Sequence, residues 1–168
     1  MQPSEALSAS AQVAVTLAGF AGVVVAFRNR SVHEWSKIDK FRLQILLTNS
    51  AVPFALSIFA MVLLSTNLNL STIWRLCSVF TFVLLVSTGS SYRTALRRFP
   101  PGEFKASGAR RAILYSGSVL AIAVTLLQLY NVIRLQTFWP FFAAIATILV
   151  LAMLQFILLA TIHDEAQS

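Results

Sequence analysis

Five long apolar runs alternate with short polar segments along this chain, and each run predicts a helix. The runs fall at about residues 7–27, 41–64, 72–92, 112–133 and 139–162. Crossing a hydrocarbon layer about 30 Å thick takes roughly 20 apolar residues in an α-helix, and each run meets that length. Together they consume most of the 168 residues. The predicted fold is therefore all-α, a five-helix transmembrane bundle forming one integral membrane domain over residues 1–168.

Local signals refine the boundaries. Ser36 followed by Asp39 resembles a capping pair, so the second helix should begin before the membrane. Pro53 inside the second run removes a backbone donor and predicts a kink, with Thr48 or Ser50 placed to satisfy freed backbone groups. Asn67 and Asn69 suit a short turn. The third helix can run on toward Arg98, where Pro100-Pro101-Gly102 stops it. Arg134 to Phe138 forms a short link. The first run is rich in Ala, Gly and Ser, and its alternative is a re-entrant or interfacial segment that leaves four spans and an inside N-terminus.

Charge orients this frame. Of the 13 Lys and Arg residues, only Arg75 and Arg134 lie outside two clusters. Arg28, Arg30, Lys37, Lys40 and Arg42 follow the first run; Arg93, Arg97, Arg98, Lys105, Arg110 and Arg111 follow the third. Loops rich in Lys and Arg stay cytoplasmic, which predicts the N-terminus outside and the C-terminus inside. Trp74, Tyr130 and Trp139 then fall at outer boundaries, and Trp35, Tyr92 and Tyr115 at inner ones, as interfacial aromatics do. The N-terminus lacks the basic n-region of a signal peptide, so the first run is expected to be retained.

Composition agrees. The chain is 57% hydrophobic and 11% charged, with mean hydropathy +0.76; a soluble domain carries about 25% charged residues. The net charge of +7 sits in juxtamembrane loops rather than on a soluble patch. That argues against nucleic acid and for anionic headgroups of the inner leaflet, with Arg28, Arg30, Lys37, Lys40, Arg93, Arg97, Arg98, Arg110 and Arg111 as the expected lipid contacts.

Two sets of residues suggest helix packing. Ser10, Ala14, Ala18, Gly22 and Ala26 recur at every fourth position, which predicts a small-residue face for close helix approach. Gln12, Gln44, Thr48, Asn49, Gln128 and Gln155 are candidate interhelical polar contacts, because an unpaired amide in hydrocarbon is costly. The specific expectation is two amide layers, Gln12 with Gln128 and Gln44 with Gln155. Ser118, Ala121, Thr125 and Gln128 should share one face of the fourth helix. The competing reading of the amides is a polar pathway.

Chemistry is sparse. No Asp, Glu, Lys or Arg lies mid-span, which disfavours proton pumps, voltage sensors and acid–base enzymes. Ser87, Thr88, Ser90 and Ser91 suit a helix end with hydroxyls bonded to backbone, in preference to an anion vestibule beside Arg93, Arg97 and Arg98. His33, Glu34, His163, Asp164 and Glu165 match no metal-ligand spacing. Cys77 reads as a small buried residue and Arg75 as a headgroup anchor. Nucleotide, phosphate-loop and hydrolase motifs are absent. No cofactor and no catalytic or metal site is expected.

The run AGFAGVVVAF (18–27), followed after a basic loop by WSKIDKFRLQILLTNS (35–50), resembles a group of small bacterial inner-membrane proteins with no assigned activity. The resemblance covers the first third of the chain. It implies a multi-pass protein of the inner (plasma) membrane and carries over no site. The expected role is a non-enzymatic helix-packing or oligomeric subunit, partnered by membrane lipids and by another copy or another membrane protein. The alternative is a passive channel or carrier for a small neutral or anionic solute. A lipid-modifying enzyme using His33 and His163 ranks third.

Overall fold

The computed structural model describes residues 2–27, 35, 37–97 and 108–161. Among them the regular structure is entirely helical: α1 (Pro3–Phe27), α2 (Lys37–Leu64), α3 (Leu70–Leu96), α4 (Gly108–Tyr130), a π-helical turn (Asn131–Leu135) and α5 (Phe138–Thr161). Five helices are long and apolar enough to cross a membrane.

The helix ends follow local chemistry. Pro3 occupies the first helical position of α1, where a missing N–H costs nothing. Glu5 reaches back to accept from the Gln2 amide at 3.1 Å, one half of a capping box. At the far end of α2, the Ser65 and Thr66 hydroxyls donate to the Val62 and Leu63 carbonyls. Asn69 then caps α3, its Oδ1 accepting from the Thr72 amide at 2.9 Å. The turn expected at Asn67 and Asn69 is thus partly a helix start. α2 begins at Lys37, ahead of its apolar run, and continues without a break through Pro53. The Ser50 hydroxyl donates to the Leu46 carbonyl at 2.9 Å rather than to a group freed by Pro53. Ser36, Arg98 and the Pro100-Pro101-Gly102 stop lie outside the described residues.

The chain divides into two compact units, one formed by residues 1–66 with 148–168 and the other by 67–147. α5 contributes its second half to the former and its first half to the latter.

In the first unit α1 packs against α2. The buried positions of α1 are Ala6, Leu7, Ser10, Ala11, Ala14, Leu17 and Ala21. On α2, Leu46, Ser50, Pro53, Leu56, Ser57 and Ala60 are buried. Leu17, Ala21, Leu46 and Ala152 form one apolar cluster, with Val24, Leu43, Leu149 and Phe156 packed on it. The Phe20 and Phe156 rings lie 5.8 Å apart.

Within the chain the predicted small-residue series divides. Ser10 and Ala14 are buried, but Gly22 and Ala26 are exposed and Ala18 is half-buried. The reason is geometric. A fourth-residue series advances about 40° per step around a helix of 3.6 residues per turn, so it winds off the buried side within a few turns. The buried stripe follows the three-and-four alternation of Leu7, Ser10, Ala14, Leu17 and Ala21 instead.

In the second unit α3 packs against α4 and the π turn. α3 buries Ile73, Trp74, Cys77, Ser78 and Thr81, a single helical face. Trp74 is 4% exposed, so it is a core residue and not an interfacial anchor. Its ring centroid lies 4.9 Å from that of Phe138 and 6.2 Å from that of Phe141. Tyr130 and Trp139 are exposed. Trp35, expected at the inner boundary, is buried.

Candidate functional site

The densest polar structure lies in the second unit, where α4 ends. Asn131 and Gln128 are fully buried on the face of α4 that also buries Val124. Thr125 and Ala121 on that side are half-buried, and Thr125 donates to the Ala121 carbonyl at 2.7 Å. The expected shared face of the fourth helix therefore points inward, except at Ser118, which is exposed.

Asn131 uses its whole amide. Its Nδ2 donates to Ser78 Oγ at 2.7 Å and to the Thr137 carbonyl at 3.1 Å. Its Oδ1 accepts from the Thr137 amide at 3.1 Å. One side chain thus ties α3 to the segment entering α5. The backbone is shaped to allow this. The Gln136 amide donates to the Asn131 carbonyl at 2.9 Å, closing a wide turn five residues long, and Gln136 takes the left-handed conformation at φ 51°. That conformation costs about 1 kcal/mol or more in a residue with a Cβ. Fixing the Thr137 backbone at both its N–H and its C=O is what offsets it. π turns of this kind recur at functional positions in helices.

Gln128 Nε2 donates to the Pro140 carbonyl at 2.8 Å, joining α4 to the first turn of α5. Its Oε1 is buried and has no partner among the described residues. Thr81 is buried and donates to the Cys77 carbonyl at 2.8 Å.

A second polar region occupies the last turns of α3. Thr88 donates to the Leu84 carbonyl, Ser90 and Ser91 both to the Ser87 carbonyl, and Thr94 to the Ser90 carbonyl, at 2.8 to 2.9 Å. These hydroxyls bond to backbone, as expected for a polar helix end. Ser90, Ser91, Thr94 and Ala95 also line an open hollow of about 270 Å³.

The predicted polar contacts separate. Gln128 makes an interhelical bond, to the Pro140 carbonyl. Gln12 and Gln44 are exposed, while Thr48, Asn49 and Gln155 are half-buried. Within the first unit no hydrogen bond joins Gln44 to Gln155 among the described residues, so that amide layer does not form. Gln12 and Gln44 stand on the outward faces of their helices, because the inward stripe on each is occupied by small and branched apolar side chains. Asn131 was missed by sequence reasoning. It lies inside the fourth apolar run, where nothing in the spacing sets it apart, although Gln128 three residues earlier marks the same face.

Lys37, Lys40, Arg93 and Arg97 are exposed. Arg110 and Arg111 lie in the first turn of α4. Arg28, Arg30 and Arg98 lie outside the described residues, as do His33, Glu34 and the His163-Asp164-Glu165 tail. Among the described residues, His, Cys, Asp and Glu form no group of three that could hold a metal ion. The arrangement offers structural clamps in the second unit and an exposed polar face at the end of α3. No protein-family model matches this chain, and no curated protein or solved structure matches it.

Proposed function

We propose that this chain is a multi-pass protein of the inner (plasma) membrane of a bacterium, with its N-terminus outside and its C-terminus inside. It acts as a non-enzymatic subunit whose work is helix packing, within itself and with another copy or another membrane protein. The observation that carries this reading is the use made of buried amides. Asn131 and Gln128 are spent on joining helix to helix. Gly22 and Ala26, by contrast, are exposed on α1, where a neighbouring helix would approach closely. The charge asymmetry supports the orientation, and the exposed Lys37, Lys40, Arg93 and Arg97 suit anionic headgroups.

The channel reading called for Gln44, Asn49, Gln128 and Gln155 along one passage. Gln44 is exposed, Asn49 and Gln155 are half-buried, and Gln128 is buried and bonded to Pro140. That bond commits Gln128 to packing, which favours the subunit reading.

Two measurements test the proposal. A reporter fused to the C-terminus should be reachable only from the cytosolic side; an exterior reporter rejects the orientation. Purified in mild detergent, the wild-type chain should run as a defined oligomer or with a stoichiometric membrane partner. A monomer without partner, both in detergent and after cross-linking in native membranes, rejects the subunit role.

A further inference from the structure

α3 is longer than a bilayer requires. Its 27 residues extend about 40 Å at 1.5 Å each, against a hydrocarbon core of about 30 Å. A helix that enters at Leu70 leaves the core near Gly89, and its last two turns stand among headgroups. Those turns carry exposed Ser90, Ser91, Arg93, Thr94 and Arg97. The spacing sets the three hydroxyls on one face, with both guanidinium groups along one edge of it.

The hydroxyl protons are already committed to the Ser87 and Ser90 carbonyls. What each oxygen still offers is a lone pair. A bare anion gains nothing from such a surface, and this is also the negative end of the α3 dipole. A ligand with N–H donors gains from both. The hollow of about 270 Å³ is lined by the same three hydroxyl residues, Ser90, Ser91 and Thr94, with Ala95. Arg93 and Arg97 beside it suit a phosphate, which guanidinium groups bind through paired hydrogen bonds.

We propose that the end of α3 is a docking surface for the headgroup of a phosphatidylethanolamine. The phosphodiester lies against Arg93 and Arg97, and the primary ammonium sits over the oxygens of Ser90, Ser91 and Thr94. This rests on the membrane reading above, and refines its expectation of general anionic-lipid attraction to one zwitterionic headgroup with donors.

The test uses the full chain in detergent micelles doped with lipids of identical acyl chains: phosphatidylethanolamine, its N-monomethyl form, phosphatidylcholine and phosphatidylglycerol. Bound lipid is counted by native mass spectrometry. Retention should fall along the methylation series as N–H donors are lost. Phosphatidylethanolamine should exceed phosphatidylcholine about fivefold, the factor one net hydrogen bond confers. The triple variant Ser90→Ala, Ser91→Ala, Thr94→Ala keeps a strong helix former at each site; it should bring the two lipids to parity. Arg93→Gln with Arg97→Gln should lower retention of all four. Equal wild-type retention across the series overturns the proposal, and so does a preference that survives the triple variant. Dominant phosphatidylglycerol binding that ignores the hydroxyls also overturns it, in favour of plain charge attraction. Extraction of the chain from membranes by alkaline carbonate would instead reject the membrane reading itself.

Discussion

In the unit built on α1 and α2, the buried polar groups among the described residues are hydroxyls, and two of the three turn back onto their own helix. Ser10 donates to the Ala6 carbonyl and Ser50 to the Leu46 carbonyl. In the unit holding α3, α4 and the start of α5, the buried polar groups include amides that reach across to other segments. The first arrangement lets helices approach through small side chains and spreads its energy over many dispersion contacts. The second concentrates energy in a few directional bonds. A mutation in the first unit should therefore act through volume, and one in the second through hydrogen bonding.

The largest effect should come from Asn131. Asn131→Leu removes its bonds to Ser78 and Thr137 and leaves the Thr137 amide without its side-chain acceptor. A single interhelical bond in a membrane is worth only about 0.6 kcal/mol on average. Several lost together, with a backbone donor stranded, should cost about 2–3 kcal/mol. Unfolding in mixed micelles, followed by helicity and by Trp74 fluorescence, would measure it. A cost below about 0.5 kcal/mol would mean that the π turn holds itself without Asn131.

Volume is the test of the other unit. Ala21 is fully buried in the cluster with Leu17, Leu46 and Ala152. Ala21→Leu forces extra carbons into it and should cost about 1–3 kcal/mol. At the adjacent Gly22, an added Cβ meets nothing within 4 Å. Gly22→Leu should leave monomer unfolding unchanged or slightly improved, since Gly is the weaker helix former. Its effect should appear in oligomer size. If Gly22→Leu changes neither, α1 presents that side to lipid alone.

The sequence carries these two modes unequally. Run lengths and charge clusters gave the five helices, because membrane solvation forces apolar residues into long stretches whatever their tertiary partners. The face each helix buries was harder. Ala14 and Gly22 look alike in a fourth-residue stripe, and only the turn angle separates them. The amides were harder still. Gln12, Gln44, Gln128 and Asn131 share one chemistry, and sequence spacing does not say that Gln128 meets a carbonyl at Pro140. Asn131 needs the left-handed Gln136 to bring Thr137 back to it. That turn is a property of tertiary packing rather than of propensity, because glutamine has no special liking for positive φ.

The smallest effect sharpens the comparison at its one irregular point. Ser50 and Ser57 lie seven residues apart, both buried on the same side of α2. Ser50 has its acceptor in the Leu46 carbonyl, whereas Ser57 Oγ is buried with no partner among the described residues. An unsatisfied buried hydroxyl opposes folding, so Ser57→Ala should stabilise the chain by about 0.5–1 kcal/mol. Ser50→Ala should be neutral or mildly destabilising, because the Leu46 carbonyl belongs to a regular helix turn and is not stranded by the loss. Denaturant titration of both variants beside the wild type resolves the difference in sign. Should Ser57→Ala destabilise instead, its hydroxyl has an acceptor in the assembled protein, and the first unit too would hold a helix through a directional bond.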